Sequence, residues 1–138
     1  MMNRLITLLT LAFITQTVFA QDIRWNGGTG NWNDPNNWDC SCIPNDSLRL
    51  EIDNGTVTIP ANYFAISKEI TITETGQLIN EGDLELKAMT SSGGLFNHGN
   101  FVNNGLLHFD ATATSGINNF NRMTNNGTIE VDLSLIHI

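Results

Sequence analysis

The sequence NNGLLHF at residues 103–109 occurs in similar form at three other places in the chain. The related segments are DNGTVTI at 53–59, NEGDLEL at 80–86 and NNGTIEV at 125–131. Each contains a polar pair, a glycine, and then alternating residues with two apolar positions spaced by two. The glycines lie roughly 20 to 30 residues apart, and repeats of about 20–50 residues are the signature of solenoid folds.

This repeat predicts an all-β fold, a right-handed parallel β-helix or related β-solenoid with an N-terminal Trp-rich cap. Period-2 alternation places the apolar residues of each segment on one face of a strand. Strands stacked about 4.8 Å apart would then join Leu84, Leu107 and Ile129 into one buried column. The alternative is an antiparallel β-sandwich, which would not require the apolar positions to match from rung to rung.

An asparagine begins each of the three later segments. Asn80, Asn103 and Asn125 are predicted to lie above one another at a corner, where their amides can hydrogen-bond along the column. The glycine two residues after each asparagine is predicted to supply the left-handed or bulged backbone of the turn.

The N-terminus has the three parts of a secretory signal peptide. Arg4 is a short positive region, 5–14 is an apolar run interrupted by threonines, and Val18-Phe19-Ala20 supplies small residues before Gln21. The apolar run is shorter than the about 20 residues of a bilayer span, and no later run is long enough, so no transmembrane segment is predicted in the mature chain. A secreted or cell-surface location of Gram-negative bacterial type is expected.

The C-terminal stretch LSLIHI resembles the translation of a common sequencing adaptor, so we expect the natural chain to continue beyond Asp132. The sequence therefore divides into four predicted parts. These are a signal peptide at 1–20, a Trp/Gly/Asn-rich cap at 21–47, solenoid rungs at 48–132 and an adaptor-derived segment at 133–138.

Three tryptophans, Trp25, Trp32 and Trp38, lie in a segment rich in Gly, Asn, Asp and Pro. The stretch from Trp25 to Ile52 resembles the Trp-Gly-Asn-Trp motif that opens many large secreted or outer-membrane proteins of Gram-negative bacteria. These include autotransporter-like adhesins and cell-surface proteins exported by the type IX route. The resemblance implies that the segment leads into the first strand of a β-helix.

Two roles are open for these tryptophans. As a cap, large rings with one polar N–H would cover the exposed first rung. As a platform, their flat faces would stack on sugars; the cap is favoured because the motif lies where the solenoid must begin. The intervening Asn and Asp side chains could also bind calcium, but their spacing is not that of an EF-hand, and such residues more often cap turns. No cofactor is predicted.

Cys40 and Cys42 are the two cysteines of the chain. A single Cys-x-Cys pair without further ligands is weak evidence for zinc, whose structural sites need four ligands. An exported protein favours oxidation, so an internal disulfide and free or intermolecular thiols both remain open.

The composition argues against nucleic acid and anionic membranes as partners, because the formal net charge is −8 and both need a basic surface. Stacking would align Glu85, His108 and Glu130 in an outward column that could act in acid–base chemistry or simply face solvent. No nucleophile or phosphate-binding loop accompanies this column, so no catalytic or metal-binding residues are predicted.

The sequence therefore predicts a non-catalytic exported β-solenoid of adhesin or structural-stalk type, the N-terminal fragment of a longer chain. Its partners would be glycans or cell-surface ligands. Two alternatives are the leading part of a polysaccharide-active β-helix enzyme and a carbohydrate-binding module centred on the tryptophans.

Overall fold

The computed structural model describes residues 22–87, 94–111 and 116–133. The predicted signal peptide lies outside these ranges, as does the predicted adaptor-derived segment apart from Leu133. The described ranges contain β-strands, one 3-10 helix (Pro35–Asn37) and no α-helix. Within them, no helix has the length and apolar character needed to cross a membrane. In chain order the strands are β1 (Asp22–Arg24), β2 (Thr29–Asn31), β3 (Arg49–Ile52), β4 (Gly55–Ile59), β5 (Phe64–Ser67), β6 (Glu69–Ile72), β7 (Gly76–Asn80), β8 (Asp83–Leu86), β9 (Leu95–Asn97), β10 (Asn100–Asn103), β11 (Leu106–Ala111), β12 (Ile117–Asn119), β13 (Arg122–Asn125) and β14 (Thr128–Leu133).

The strands form three parallel sheets that run side by side along the molecule. Their orders are β1-β3-β6-β9-β12 in the first sheet, β2-β4-β7-β10-β13 in the second and β5-β8-β11-β14 in the third. From β3 onward, each set of three consecutive strands therefore contributes one strand to each of the three sheets. We call these sets rung 1 (β3–β5), rung 2 (β6–β8), rung 3 (β9–β11) and rung 4 (β12–β14). The predicted parallel β-solenoid is confirmed.

The register confirms the predicted apolar column in the third sheet. Leu107 is paired with Leu84 below it and with Ile129 above it. Leu84 and Leu107 are buried, whereas Ile129 in rung 4 is only partly buried. Buried and more exposed residues alternate along strands such as β8, which places the core inside the coil.

One part of the repeat alignment is wrong. The first segment, 53–59, forms β4 of the second sheet, where Gly55 is paired with Gly76 rather than with Gly82. The residue of rung 1 that lies below Leu84 is Ala65 in β5. The error arose because each rung has two corners with a similar polar-glycine pattern, and sequence similarity does not distinguish one corner from the other.

The predicted asparagine ladder is present. The side-chain Nδ2 of Asn80 donates to Oδ1 of Asn103 at 2.8 Å, and Nδ2 of Asn103 donates to Oδ1 of Asn125 at 2.7 Å. A second ladder lies at the corner between the first and second sheets, where Nδ2 of Asn97 donates to Oδ1 of Asn119 at 2.6 Å. Buried amides thus fix the rungs in register at two corners.

The glycines after the ladder asparagines serve a different purpose from the one predicted. Left-handed glycine conformations in the described residues occur at Gly27, Gly28 and Gly55, not at Gly82, Gly105 or Gly127. A Cβ atom at Gly105 would instead collide with the carbonyl oxygen of Gly82 in the rung below. Glycine is required here because the backbones of successive rungs approach too closely for a side chain.

Candidate functional site

The three tryptophans lie together at the N-terminal end of the solenoid, before rung 1, in the segment that we call the cap. Trp25 and Trp38 meet edge to face with ring centroids 5.1 Å apart, and Trp32 meets Trp38 in the same way at 5.3 Å. The indole Nε1 of Trp38 donates to the carbonyl oxygen of Trp32 at 2.9 Å. Trp25, Trp32 and Trp38 are 3 %, 0 % and 1 % exposed, so their faces contact the core and one another rather than solvent.

The cap is held on rung 1 by parallel pairing and by a returning loop. Strand β1 pairs with β3, and β2 pairs with β4. Residues 37–39 then cover the outer edge of β1, since Asn26 N donates to Asn37 O at 2.9 Å and Asp39 N donates to Arg24 O at 3.0 Å. These bonds pair part of the outer edge of β1 within the chain itself.

The Asn and Asp side chains between the tryptophans stabilise this loop. Oδ1 of Asp34 accepts from the backbone N–H of Asn36 at 3.0 Å, which caps the Pro35–Asn37 helix. Nδ2 of Asn37 donates to Asn31 O at 3.0 Å. These are the local turn contacts expected of such residues. Within the described ranges, no group of three or more His, Cys, Asp or Glu side chains is arranged to hold a metal ion.

Cys40 and Cys42 are joined by a disulfide bond. The intervening Ser41 has a φ of 51°, a left-handed conformation that a residue other than glycine rarely adopts. Both cysteines are partly buried and pack against the hydrophobic core that contains the tryptophans. The bond therefore closes a tight turn within the cap, directly after Trp38.

The outer surface of the third sheet contains the predicted Glu85–His108–Glu130 column. His108 is in register with Glu85 on β8 and with Glu130 on β14. Nε2 of His108 lies 3.1 Å from Oδ2 of Asp132. The predicted column is therefore present, but His108 contacts Asp132, a carboxylate of the neighbouring outward column.

That neighbouring column contains Lys87, Asp110 and Asp132, which the sequence analysis did not single out. Nζ of Lys87 lies 2.6 Å from Oε1 of Glu85 and 2.7 Å from Oδ2 of Asp110. The sequence feature that could have identified them is their position two residues after Glu85, His108 and Glu130, because residues two apart in a strand lie on the same face. We call these two columns together the third-sheet outer face.

The charges of this face perturb one another. The hydrogen bond from Lys87 lowers the pKa of the Asp110 carboxyl below its usual range. Hydrogen bonds to Asp110 and then to Glu85 raise the pKa of the Lys87 ammonium above its ordinary value. Lys87 thus stays charged and holds carboxylates from two rungs, Glu85 of rung 2 and Asp110 of rung 3, which joins these adjacent rungs.

The opposite end of the molecule, rung 4, is more open than the cap. Phe101 and Phe109 of rung 3 are buried, whereas Met123 above Phe101 is only partly buried and Val131 above Phe109 is 50 % exposed. At the nearby corner Phe120 is 66 % exposed and stacks on His98 with centroids 4.5 Å apart.

Together these features define a parallel β-solenoid protein. Comparison with protein-family models, with curated protein sequences and with solved structures gives no significant match.

Proposed function

We propose that this chain is an exported, non-catalytic surface or secreted protein that uses its β-solenoid as a stalk or adhesive rod. The observation that carries the proposal is the continuous stacking of four rungs in register on a single Trp-rich cap. Each added rung lengthens such a rod and repeats its lateral faces, which is how solenoids build extended binding surfaces.

Export is supported by the signal-like arrangement of Arg4, the apolar run 5–14 and Ala20. The disulfide between Cys40 and Cys42 is compatible with an oxidising compartment, where such bonds persist.

The test of export is expression of the full chain in a Gram-negative host, followed by fractionation and intact-mass analysis. We expect the periplasmic or secreted product to begin at Gln21. The variant Ala20→Arg should remain unprocessed because signal peptidase requires a small residue there, whereas Gln16→Ala should be cleaved normally. An uncleaved cytoplasmic wild-type chain would contradict the proposal.

Ligand binding is proposed for the lateral surface, because the tryptophan rings are buried. Phe64 lies on β5 at the start of the third-sheet outer face, is 55 % exposed and is in register with Asp83. The exposed ring of Phe64 is suited to stacking on a glycan, and the carboxylate of Asp83 in the next rung is suited to accepting hydrogen bonds from the glycan hydroxyl groups.

This assignment is tested with a glycan array and with binding to whole cells. Phe64→Ala should abolish retention of any glycan that the parent protein binds. Phe120→Ala removes another exposed aromatic ring, from a different corner, and should leave that binding intact. Loss of binding only in the Phe120 variant would place the ligand elsewhere.

A further inference from the structure

The outer surface of the first sheet contains a shallow depression with a volume of about 110 Å³, which we call the first-sheet depression. Its lining residues are Asp22, Arg49, Leu50, Glu51, Glu69 and Thr71. This volume holds several water molecules but is well below the roughly 300–1,000 Å³ of pockets that enclose a whole small molecule. The depression is therefore suited to one polar edge of a larger ligand.

The guanidinium group of Arg49 lies in this depression without an acceptor from the part of the chain that the structure describes. Arg49 is in register with Asp22 on β1 and with Glu69 on β6, yet it forms an ion pair with neither. The ion pair of this surface joins Arg24 to Glu51 instead. Nε of Arg49 is buried and has no hydrogen-bond partner, which is unfavourable for an N–H donor. A ligand oxygen that draws the guanidinium toward it would relieve this cost.

The charges of the lining favour an uncharged ligand. Three carboxylates, those of Asp22, Glu51 and Glu69, would repel an anion, and the guanidinium of Arg49 would repel a cation. A hydroxyl group both donates and accepts hydrogen bonds, so neighbouring hydroxyl groups can accept from Arg49 and donate to a carboxylate. Sugars carry such hydroxyl groups along the edge of the ring.

An aromatic ring lies beside the depression in the next rung. Phe96 is in register with Thr71, which lines the depression, and adjacent strands of a sheet are about 4.8 Å apart. Phe96 is the outward residue of β9, because Leu95 and Asn97 on either side of it are buried, and it is partly exposed. Such a ring can pack against the apolar C–H face of a sugar whose hydroxyl edge enters the depression.

We propose that the first-sheet depression binds the hydroxyl edge of an uncharged sugar. Arg49 donates hydrogen bonds to the sugar, Asp22 and Glu69 accept them, and Phe96 packs against the ring. This site lies on a different sheet from Phe64, and it depends neither on export nor on ligand binding by the third-sheet outer face.

The experiment titrates the isotope-labelled full chain with the methyl glycosides of glucose, galactose and mannose and follows backbone amide and arginine Nε–H signals by NMR. At least one glycoside should give saturable shifts at Arg49 Nε–H and at the amides of Leu50 and Thr71. Arg49→Met keeps an apolar side chain but removes the charged donors, so it should weaken this binding at least about tenfold. Asp22→Asn replaces an exposed carboxylate by a neutral acceptor and should weaken binding about threefold, which keeps the test decisive if the Arg49 variant fails to fold.

The matched control is Arg122→Met, which removes an exposed arginine from the second sheet and should leave the affinity unchanged. Phe64→Ala should also leave these shifts unchanged, so failure of the third-sheet site and failure of this site can be distinguished. Shifts that persist with unchanged affinity in both the Arg49 and Asp22 variants would overturn the assignment to the depression. Absence of saturable shifts with all three glycosides would overturn sugar binding there, and tighter binding of galacturonate than of the galactose glycoside would overturn the preference for an uncharged ligand.

Discussion

The side-chain amide of Asn80 donates a 2.8 Å hydrogen bond to Oδ1 of Asn103, a residue 23 positions later in the chain, and both side chains are completely buried. This hydrogen bond and the next one in the ladder, from Asn103 to Asn125, can form only if the rungs are in register. A slip of one residue would turn an asparagine outward. The ladder therefore links the local sequence repeat to the global alignment of the coils.

Replacing Asn103 with leucine should destabilise the protein by about 1–3 kcal/mol, because buried polar groups of Asn80 and of the surrounding backbone lose a partner. Urea unfolding followed by tryptophan fluorescence measures this change. The control is Asn104→Leu, which removes an adjacent but exposed amide. A stability loss of equal size in both variants would contradict a special role for the ladder.

The sequence was sufficient to predict the solenoid, the third-sheet register and one ladder, because these depend on alternation and on a recurring Asn-x-Gly pattern. It did not reveal that 53–59 belongs to another corner. The Asn97–Asn119 ladder was also missed, since its strands are only three residues long and give little periodic signal. The ion pairs of Lys87 depend on which outward columns are neighbours, and that requires the three-dimensional stack.

Gly105→Ala should lower the free energy of unfolding by about 1–3 kcal/mol, the range found for overpacking. The added Cβ would meet the carbonyl oxygen of Gly82 and push rung 3 away from rung 2. Gly116→Ala is the control, because a Cβ there meets nothing closer than the Phe109 ring at 3.5 Å. If the two variants are equally stable, close backbone approach is not the reason for glycine at this corner.

Trp32→Ala should destabilise the protein by about 3–5 kcal/mol, since it removes a fully buried ring and leaves a cavity in the cap. Thermal unfolding by circular dichroism is the measurement, and Phe120→Ala is the exposed aromatic control. An unchanged melting temperature combined with loss of glycan binding would show that Trp32 acts as a sugar platform rather than as a cap.

The double variant Cys40→Ser, Cys42→Ser should cost only about 1–2 kcal/mol, because the entropic benefit of a disulfide grows with loop length and this loop spans only one intervening residue. Thiol titration of the unfolded parent before and after reduction establishes the bond, and urea unfolding gives its contribution. A loss much larger than this would mean that the bond supports the adjacent Trp cap directly.

Lys87→Met should raise the pKa of Asp110 toward its ordinary value of 3.8, because the hydrogen bond from Lys87 is the main cause of its depression. Because the pKa of Asp110 is lower in the folded state than in the unfolded state, its carboxylate stabilises the fold at pH values above the unfolded-state pKa. This contribution is lost as the pH falls through the folded-state pKa. The raised pKa of Lys87 stabilises the fold below 10.5, and this contribution is lost as the pH rises through its folded-state value.

The stability difference between the parent and Lys87→Met should therefore be largest between about pH 4 and 10 and should diminish in acid. Carboxyl carbon NMR of Asp110 and melting temperatures at neutral and low pH measure the two effects. Lys68→Met is the matched control, since Lys68 follows Ser67, which is in register with Leu86, and so lies one rung below Lys87. If Asp110 titrates at the same pH in all three proteins, Lys87 does not join rung 2 to rung 3 through this carboxylate.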